Sequence, residues 1–178
     1  MARHAMLPFA NDAQGWMAME EHIRDYGPLD EEAVVELSLR AWTPVFSSLE
    51  QVLGREIFVR LYGDWRQYQD KDVRETLADG AARVWVAEAA RGVVGFVAAR
   101  LHLERQLGEV WMLAVDPDAQ GRGIGTALTE VATGWLREAG MTVAMVETGA
   151  DPGHAPARRV YEKAGYALFP VARYFKAL

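Results

Sequence analysis

From position 113 to 128 the chain reads Leu-Ala-Val-Asp-Pro-Asp-Ala-Gln-Gly-Arg-Gly-Ile-Gly-Thr-Ala-Leu, and its chemistry lies in Gly121, Gly123 and Gly125. Glycines at the entry to a helix clear side chains from the first turn, where the backbone N–H groups have no helical partner. Such a cluster of donors, at the positive end of a helix dipole, suits a phosphate. The helix is written in Ile124, Ala127, Leu128, Val131 and Trp135, whose spacing makes one apolar face. Two better-known phosphate loops do not match. A P-loop needs Gly-Lys followed by Ser or Thr, and no lysine stands here. A dinucleotide fingerprint needs a third glycine three positions after the second, where Thr126 stands instead.

The surrounding pattern predicts the elements that hold this loop. A first strand over 20–26 ends at Gly27-Pro28, and Asp30 is placed to N-cap a helix carrying Val34, Val35, Leu37, Leu39 and Trp42. Pro44 is expected to limit that helix. A second helical region, 48–78, breaks near Gly54 and Gly63. Strands follow over 83–88, 93–103 and 109–115, the first two joined by a turn at Ala90-Arg-Gly92. Asp116-Pro117 stops the third strand. The glycine loop and its helix run to about Ala139, with Gly140 at the C-cap. An apolar strand over 141–148 and a short helix over 156–164 come next, and 166–178 reads as one or two closing strands around Pro170. Residues 1–19 lack periodicity and read as an N-terminal extension, with 20–178 as one α/β domain.

The chain has 178 residues, 51% hydrophobic and 25% charged, enough for a sizeable core in one domain. A formal charge of −6 argues against nucleic acid as partner. The absence of cysteine excludes disulfides, thiolate metal sites and a cysteine nucleophile. No apolar run reaches membrane-span length, and the first ten residues, interrupted by Pro8, lack a signal-peptide pattern, so the cytoplasm is the expected location. The four histidines, His4, His22, His102 and His154, show no ligand spacing, and no metal is expected.

Strand, turn, Gln120-Gly-Arg-Gly-Ile-Gly125 and helix match the pattern Gln/Arg-x-x-Gly-x-Gly/Ala. One strand later, His154-Ala-Pro-Ala-Arg-Arg-Val-Tyr-Glu-Lys-Ala-Gly-Tyr166 matches Ala-x-x-x-Tyr-Glu-Lys-x-Gly-Phe/Tyr. With both blocks in this order, the chain from about residue 83 onward resembles the GNAT superfamily of acetyl-CoA-dependent N-acetyltransferases. The resemblance implies a central mixed, mostly antiparallel sheet with helices on both faces. It also implies a parallel strand pair that splays apart to admit the pantetheine arm of acetyl-CoA.

Carried over residue by residue, Leu113, Ala114 and Val115 border the pantetheine. Gln120, Gly121, Arg122, Gly123, Ile124, Gly125 and Thr126 form the pyrophosphate loop. His154 stands where the family often has asparagine, within reach of the pantetheine, and Arg158, Arg159 or Lys163 are candidates for the adenosine phosphates. Tyr161 holds the family's tyrosine position and is the expected acid that protonates the departing thiolate. Glu109 is the expected base: strand alternation puts it on one face with Trp111, Leu113 and Val115, as that face's only ionisable group. Glu147 or ordered water is the substitute.

In this reading the protein transfers acetyl from acetyl-CoA to a primary amine, of a small molecule or of a protein, by direct attack in a ternary complex. A homodimer is a common assembly in the family. The acceptor site is expected near the first helices and the tail, with Trp42, Phe46, Tyr62, Trp65, Tyr68 and Tyr174 as its aromatics. Asp30, Glu31, Glu32 and Glu36 are acids that would attract a cation. A CoA-binding sensor or interaction module without catalysis is the competing reading.

Overall fold

The computed structural model describes residues 22–178, so the expected extension 1–19 and the start of the first expected strand lie outside the described residues. The elements are β1 (His22–Asp25), α1 (Glu31–Leu53), α2 (Arg55–Tyr62), α3 (Trp65–Ala78), β2 (Arg83–Ala89), β3 (Gly92–His102), β4 (Leu107–Val115), α4 (Ile124–Glu138), β5 (Val143–Val146) and α5 (Ala155–Lys163). The strands form one sheet in chain order, antiparallel throughout except that β5 runs parallel to β4.

Alternation along β2 and β3 sorts the core into two layers. Val84, Val86, Phe96 and Ala98 face α1 and α3, where they meet Val34, Leu37 and Val73. Trp85, Ala87, Val97 and Ala99 face α4, where they meet Ile124, Leu128 and Leu136. The sheet is therefore the middle of three layers, and any ligand between β4 and β5 is held from both sides.

Several sequence expectations change in the fold. α1 does not stop at Pro44 but runs on to Leu53 and ends at Gly54, whose φ of 76° only glycine adopts without strain. A proline inside a helix costs about 3 kcal/mol. Here buried residues on both sides of it, Leu37 and Ser38 before and Phe46 and Ser48 after, hold the helix together by packing. Asp30 occupies the N-cap position without capping α1; its carboxylate takes the Arg24 guanidinium at 2.7 Å and the Gly27 N–H at 2.9 Å.

Residues 166–178 form no strand. Apolar periodicity predicts where side chains would point, but a strand also needs backbone partners, and β5 offers an edge of only four residues. Leu168, Phe169, Val171 and Tyr174 are left exposed.

Candidate active site

The cavity follows from where β4 and β5 stop pairing. Their ladder runs from Leu107 opposite Val143 to Val110 opposite Val146. β4 then continues to Val115 paired only with β3, while the chain beyond β5 leaves the sheet through Glu147 and Thr148. The cleft between them is a cavity of about 640 Å³, reaching from the glycine loop, past Tyr161, to α1 and α3.

A bulge shapes the β4 wall. Ala98 pairs with Met112 and Ala99 with Val110, so Trp111 has no partner across β3. One extra residue reverses the facing of everything before it. Leu113 and Val115 pack on the α4 side, whereas Trp111 turns toward α3 and donates its indole N–H to Thr76 at 3.2 Å. Glu109 is carried to the α3 face as well, where its carboxylate lies 2.9 Å from His102 Nε2, and it does not line the cavity. The single face expected for Glu109, Trp111, Leu113 and Val115 is thus split by the bulge.

At the loop end, Gly121 and Gly123 have φ of 80° and 91°, and a side chain there would cost about 1–2 kcal/mol. Gly125 serves packing: a Cβ at that position would come within 3.3 Å of Val160 on α5. No side chain caps α4, and the Ala127 N–H is bonded to the Gly123 carbonyl at 3.0 Å. Leu113, Ala114, Val115, Gln120, Gly121, Gly123, Ile124, Gly125, Thr126 and His154 all line the cavity. Gln120 donates to the Val115 carbonyl at 3.1 Å, so that carbonyl is already engaged.

Two expected phosphate ligands are elsewhere. Arg122 borders a separate recess beside Ile23 and Ala87. Arg158 donates to the carbonyls of Gly149 at 2.6 Å and Asp151 at 2.9 Å, because those orphaned carbonyls lie against its turn of α5. The α5 cations that do line the cavity are Arg159 and Lys163.

Tyr161 is 8% exposed and lines the cavity midway. Burial, reinforced by the neighbouring Tyr166, pushes its phenol up to about 12, so it remains a proton donor throughout the neutral range. Its hydroxyl makes no hydrogen bond to a described residue, whereas Tyr166 shares one with Thr133 at 2.8 Å.

The far end is made by Trp42 of α1, Gln69 and Asp72 of α3, and Trp111. Gln69 is 3% exposed, and its buried side-chain Nε2 has no hydrogen-bond partner among the described residues. Burial raises the Asp72 carboxyl, Glu75 adds to the rise, and Arg100 opposes it. Sequence reasoning passed over Gln69 and Asp72. The signal was present in the buried positions Gln69, Val73 and Thr76, which recur at helical spacing on α3 and so place a polar group in the inward stripe.

The other expected aromatics go elsewhere. Phe46, Tyr62, Trp65 and Tyr68 pack on one another, with Phe46 stacked on Trp65 at 4.6 Å, and Tyr174 is exposed in the tail. Of the acids, Asp30 is held by Arg24, and Glu31 and Glu32 by Arg74. Among the described residues, no helix is long and apolar enough to cross a membrane.

The sequence model of the acetyltransferase (GNAT) family matches residues 46–166. Mycothiol acetyltransferase of Saccharomonospora viridis is 35% identical over 147 residues, which are 77% of this chain and 42% of that protein. Mycothiol acetyltransferase of Streptomyces coelicolor is 39% identical over 85 residues, 48% of this chain and 27% of that protein. The chain thus spans less than half the length of these relatives. Among solved structures, a ribosomal-protein-alanine N-acetyltransferase from Brucella melitensis superposes with a TM-score of 0.59 at 19% identity, over 88% of this chain and 99% of that one. An aminoglycoside N-acetyltransferase in complex with CoA does so at 0.57 and 15% identity, over 91% and 99%. Those identities speak for the fold, while the family match spans α2 to α5, including the glycine loop. The chain belongs to the GNAT family of acetyltransferases.

Proposed function

We propose that the protein transfers the acetyl group of acetyl-CoA to the primary amine of a small molecule, by direct attack within a ternary complex. One observation carries this reading. A single cavity joins a donor-rich helix start to a polar, aromatic end, with the buried phenol of Tyr161 between them. The residues fit acetyl-CoA as cosubstrate: N–H groups from Gly121 to Thr126 would hold the pyrophosphate, with the pantetheine along Leu113 to Val115.

The reaction has two proton problems. An amine with an ordinary pKa near 10.4 is neutral in roughly one molecule in a few thousand at pH 7, which costs on the order of 4–5 kcal/mol. The sulfur leaves more readily as a thiol. Tyr161 answers the second problem, because burial keeps its proton in place until the sulfur develops charge. At the far end, Asp72 offers charge to an ammonium and Gln69 offers a donor to an oxygen beside it. Relatives named mycothiol acetyltransferases, after a small molecule, support a small-molecule substrate here.

The test is CoA release from acetyl-CoA with glucosamine, ethanolamine and a lysine-containing peptide as acceptors. Turnover of the small amines and not of the peptide is expected. Tight binding of acetyl-CoA with no turnover would favour the non-catalytic module.

A further inference from the structure

The turn that leads into α5 holds a half-buried cluster that the reading above does not use. Asp151 has a side chain only 6% exposed, and its carboxylate accepts the Gly153 N–H at 3.0 Å and pairs with Nδ1 of His154. Burial alone would raise this carboxyl. Hydrogen bonds from Ser48, His154 and the Gly153 N–H outweigh that and hold it below the usual carboxylate range.

Two glycines make room for the cluster. A methyl group at Gly149 would fall within 2.5 Å of His154 Nδ1 and against the Asp151 carboxylate. One at Gly153 would meet Ser48 Cβ at 2.7 Å and Val45 Cα at 2.9 Å. Gly149 has an ordinary φ, so its backbone does not require glycine; the dyad does. The Gly153 N–H also donates to Ser48 at 3.0 Å, which seats the turn on α1, the helix that walls the far end of the cavity.

His154 lines that cavity and immediately precedes α5, seven residues before Tyr161, which lines it too. With Nδ1–H committed to Asp151, the lone pair belongs to Nε2. An ionised carboxylate behind an imidazole orients it and stabilises the imidazolium formed when it takes a proton.

We propose that His154, oriented by Asp151, is the general base that deprotonates the acceptor ammonium. This rests on the acetyl-transfer reading. Neutral Nε2 takes one proton from R–NH3+, directly or through one water, and later returns it to solvent. The freed amine attacks the thioester carbonyl, so the C–N bond forms and the C–S bond breaks. Tyr161 gives its hydroxyl proton to the departing sulfur and recovers one from the new ammonium nitrogen.

The charged and titratable groups that share the cavity with the imidazole are Glu147 after β5, Asp72 of α3, Tyr161, Arg159 and Lys163 along α5, with Asp151 behind the ring and Tyr62 of α2 within electrostatic reach of Asp151. Ser48 and Val45 of α1 bring no charge. Arg158 is turned onto carbonyls, and Arg173 is paired with Glu147 at 2.8 Å. That pairing, on an exposed carboxylate, makes Glu147 the poorer base, and Glu109 lies outside the cavity.

The experiment measures kcat/KM against pH with acetyl-CoA and glucosamine or ethanolamine, together with CoA affinity by calorimetry. His154→Gln should lower kcat/KM about 100-fold and flatten the acid limb while leaving CoA affinity within about 2-fold. Asp151→Asn should cost about 10-fold, because an imidazole without its carboxylate loses its fixed tautomer and orientation. Gly149→Ala should resemble Asp151→Asn.

Ring nitrogen NMR of the free protein reads the tautomer without any turnover, and the Nδ1–H form is expected. An Nε2–H tautomer, an unchanged pH profile in His154→Gln, or a loss confined to CoA binding would each overturn the base. If Tyr161→Phe is slow while His154→Gln is not, acetyl transfer stands and only this inference falls.

Discussion

At the glycine-loop end of the cavity the chain presents backbone, whereas at the α1–α3 end it presents side chains. Gly121, Gly123 and Gly125 have nothing beyond Cα, so the donors there are peptide N–H groups fixed by the start of α4. Their geometry is set within a few residues, and any sequence that makes the turn makes the site. The other end is assembled from Trp42, Gln69 and Trp111, and His154 lines the cavity too, so four separate parts of the chain contribute side chains. Each owes its direction to a packing detail: a helix that persists through Pro44, a bulge at Trp111, a turn seated on Ser48. A backbone site suits a ligand common to a whole family. A side-chain site varies residue by residue, which is what choice among amines requires.

Substitutions separate the two ends. The largest effect is expected between them, at Tyr161→Phe: kcat should fall about 100-fold or more with CoA affinity little changed. The same residue has a thermodynamic signature. The phenol loses its proton near 10 in the unfolded chain and near 12 in the fold, so between those values the unfolded chain binds fewer protons. Stability should therefore decline as pH rises through that window, by up to about 2–3 kcal/mol, and urea titrations of Tyr161→Phe should lack this decline.

Next is Gly123→Val, which forces a β-branched residue to a φ of 91°. It should cost about 1–2 kcal/mol in urea unfolding and weaken CoA about 10-fold, leaving the KM for the amine in place. Gln69→Leu should do the reverse. Removing a buried donor without a partner should raise stability by about 1 kcal/mol, while the amine KM rises several-fold and CoA affinity holds. An equal loss of CoA and amine affinity in either variant would break the division between the ends. Glu109→Gln is expected to do least, within about 3-fold of wild type in kcat/KM, because its carboxylate faces His102 away from the cavity.

How far the sequence could be read follows the same division. The loop, the helix behind it and the position of Tyr161 were legible because their signals are local: glycine spacing, a 3.6-residue apolar stripe, and a motif carried on one short helix. The breaks at Gly54 and Gly63 were legible for the same reason, and both have positive φ. Glu109 was placed on the wrong face because alternation assumes an unbroken ladder, and a bulge depends on the strand opposite. Asp151 went unread although Asp-Pro-Gly marks a capped turn; nothing local says that the cap also orients a histidine over a cavity.

The sequence by itself determined that a helix begins with bare donors and that a tyrosine follows one strand later, since both are properties of neighbouring residues. Tertiary structure alone decided which side chains meet in the cavity. Their directions depend on a bulge, on a helix held through proline by packing, and on two glycines that admit Asp151 and His154 side by side. Those are contacts between elements, and a chain read one window at a time does not contain them.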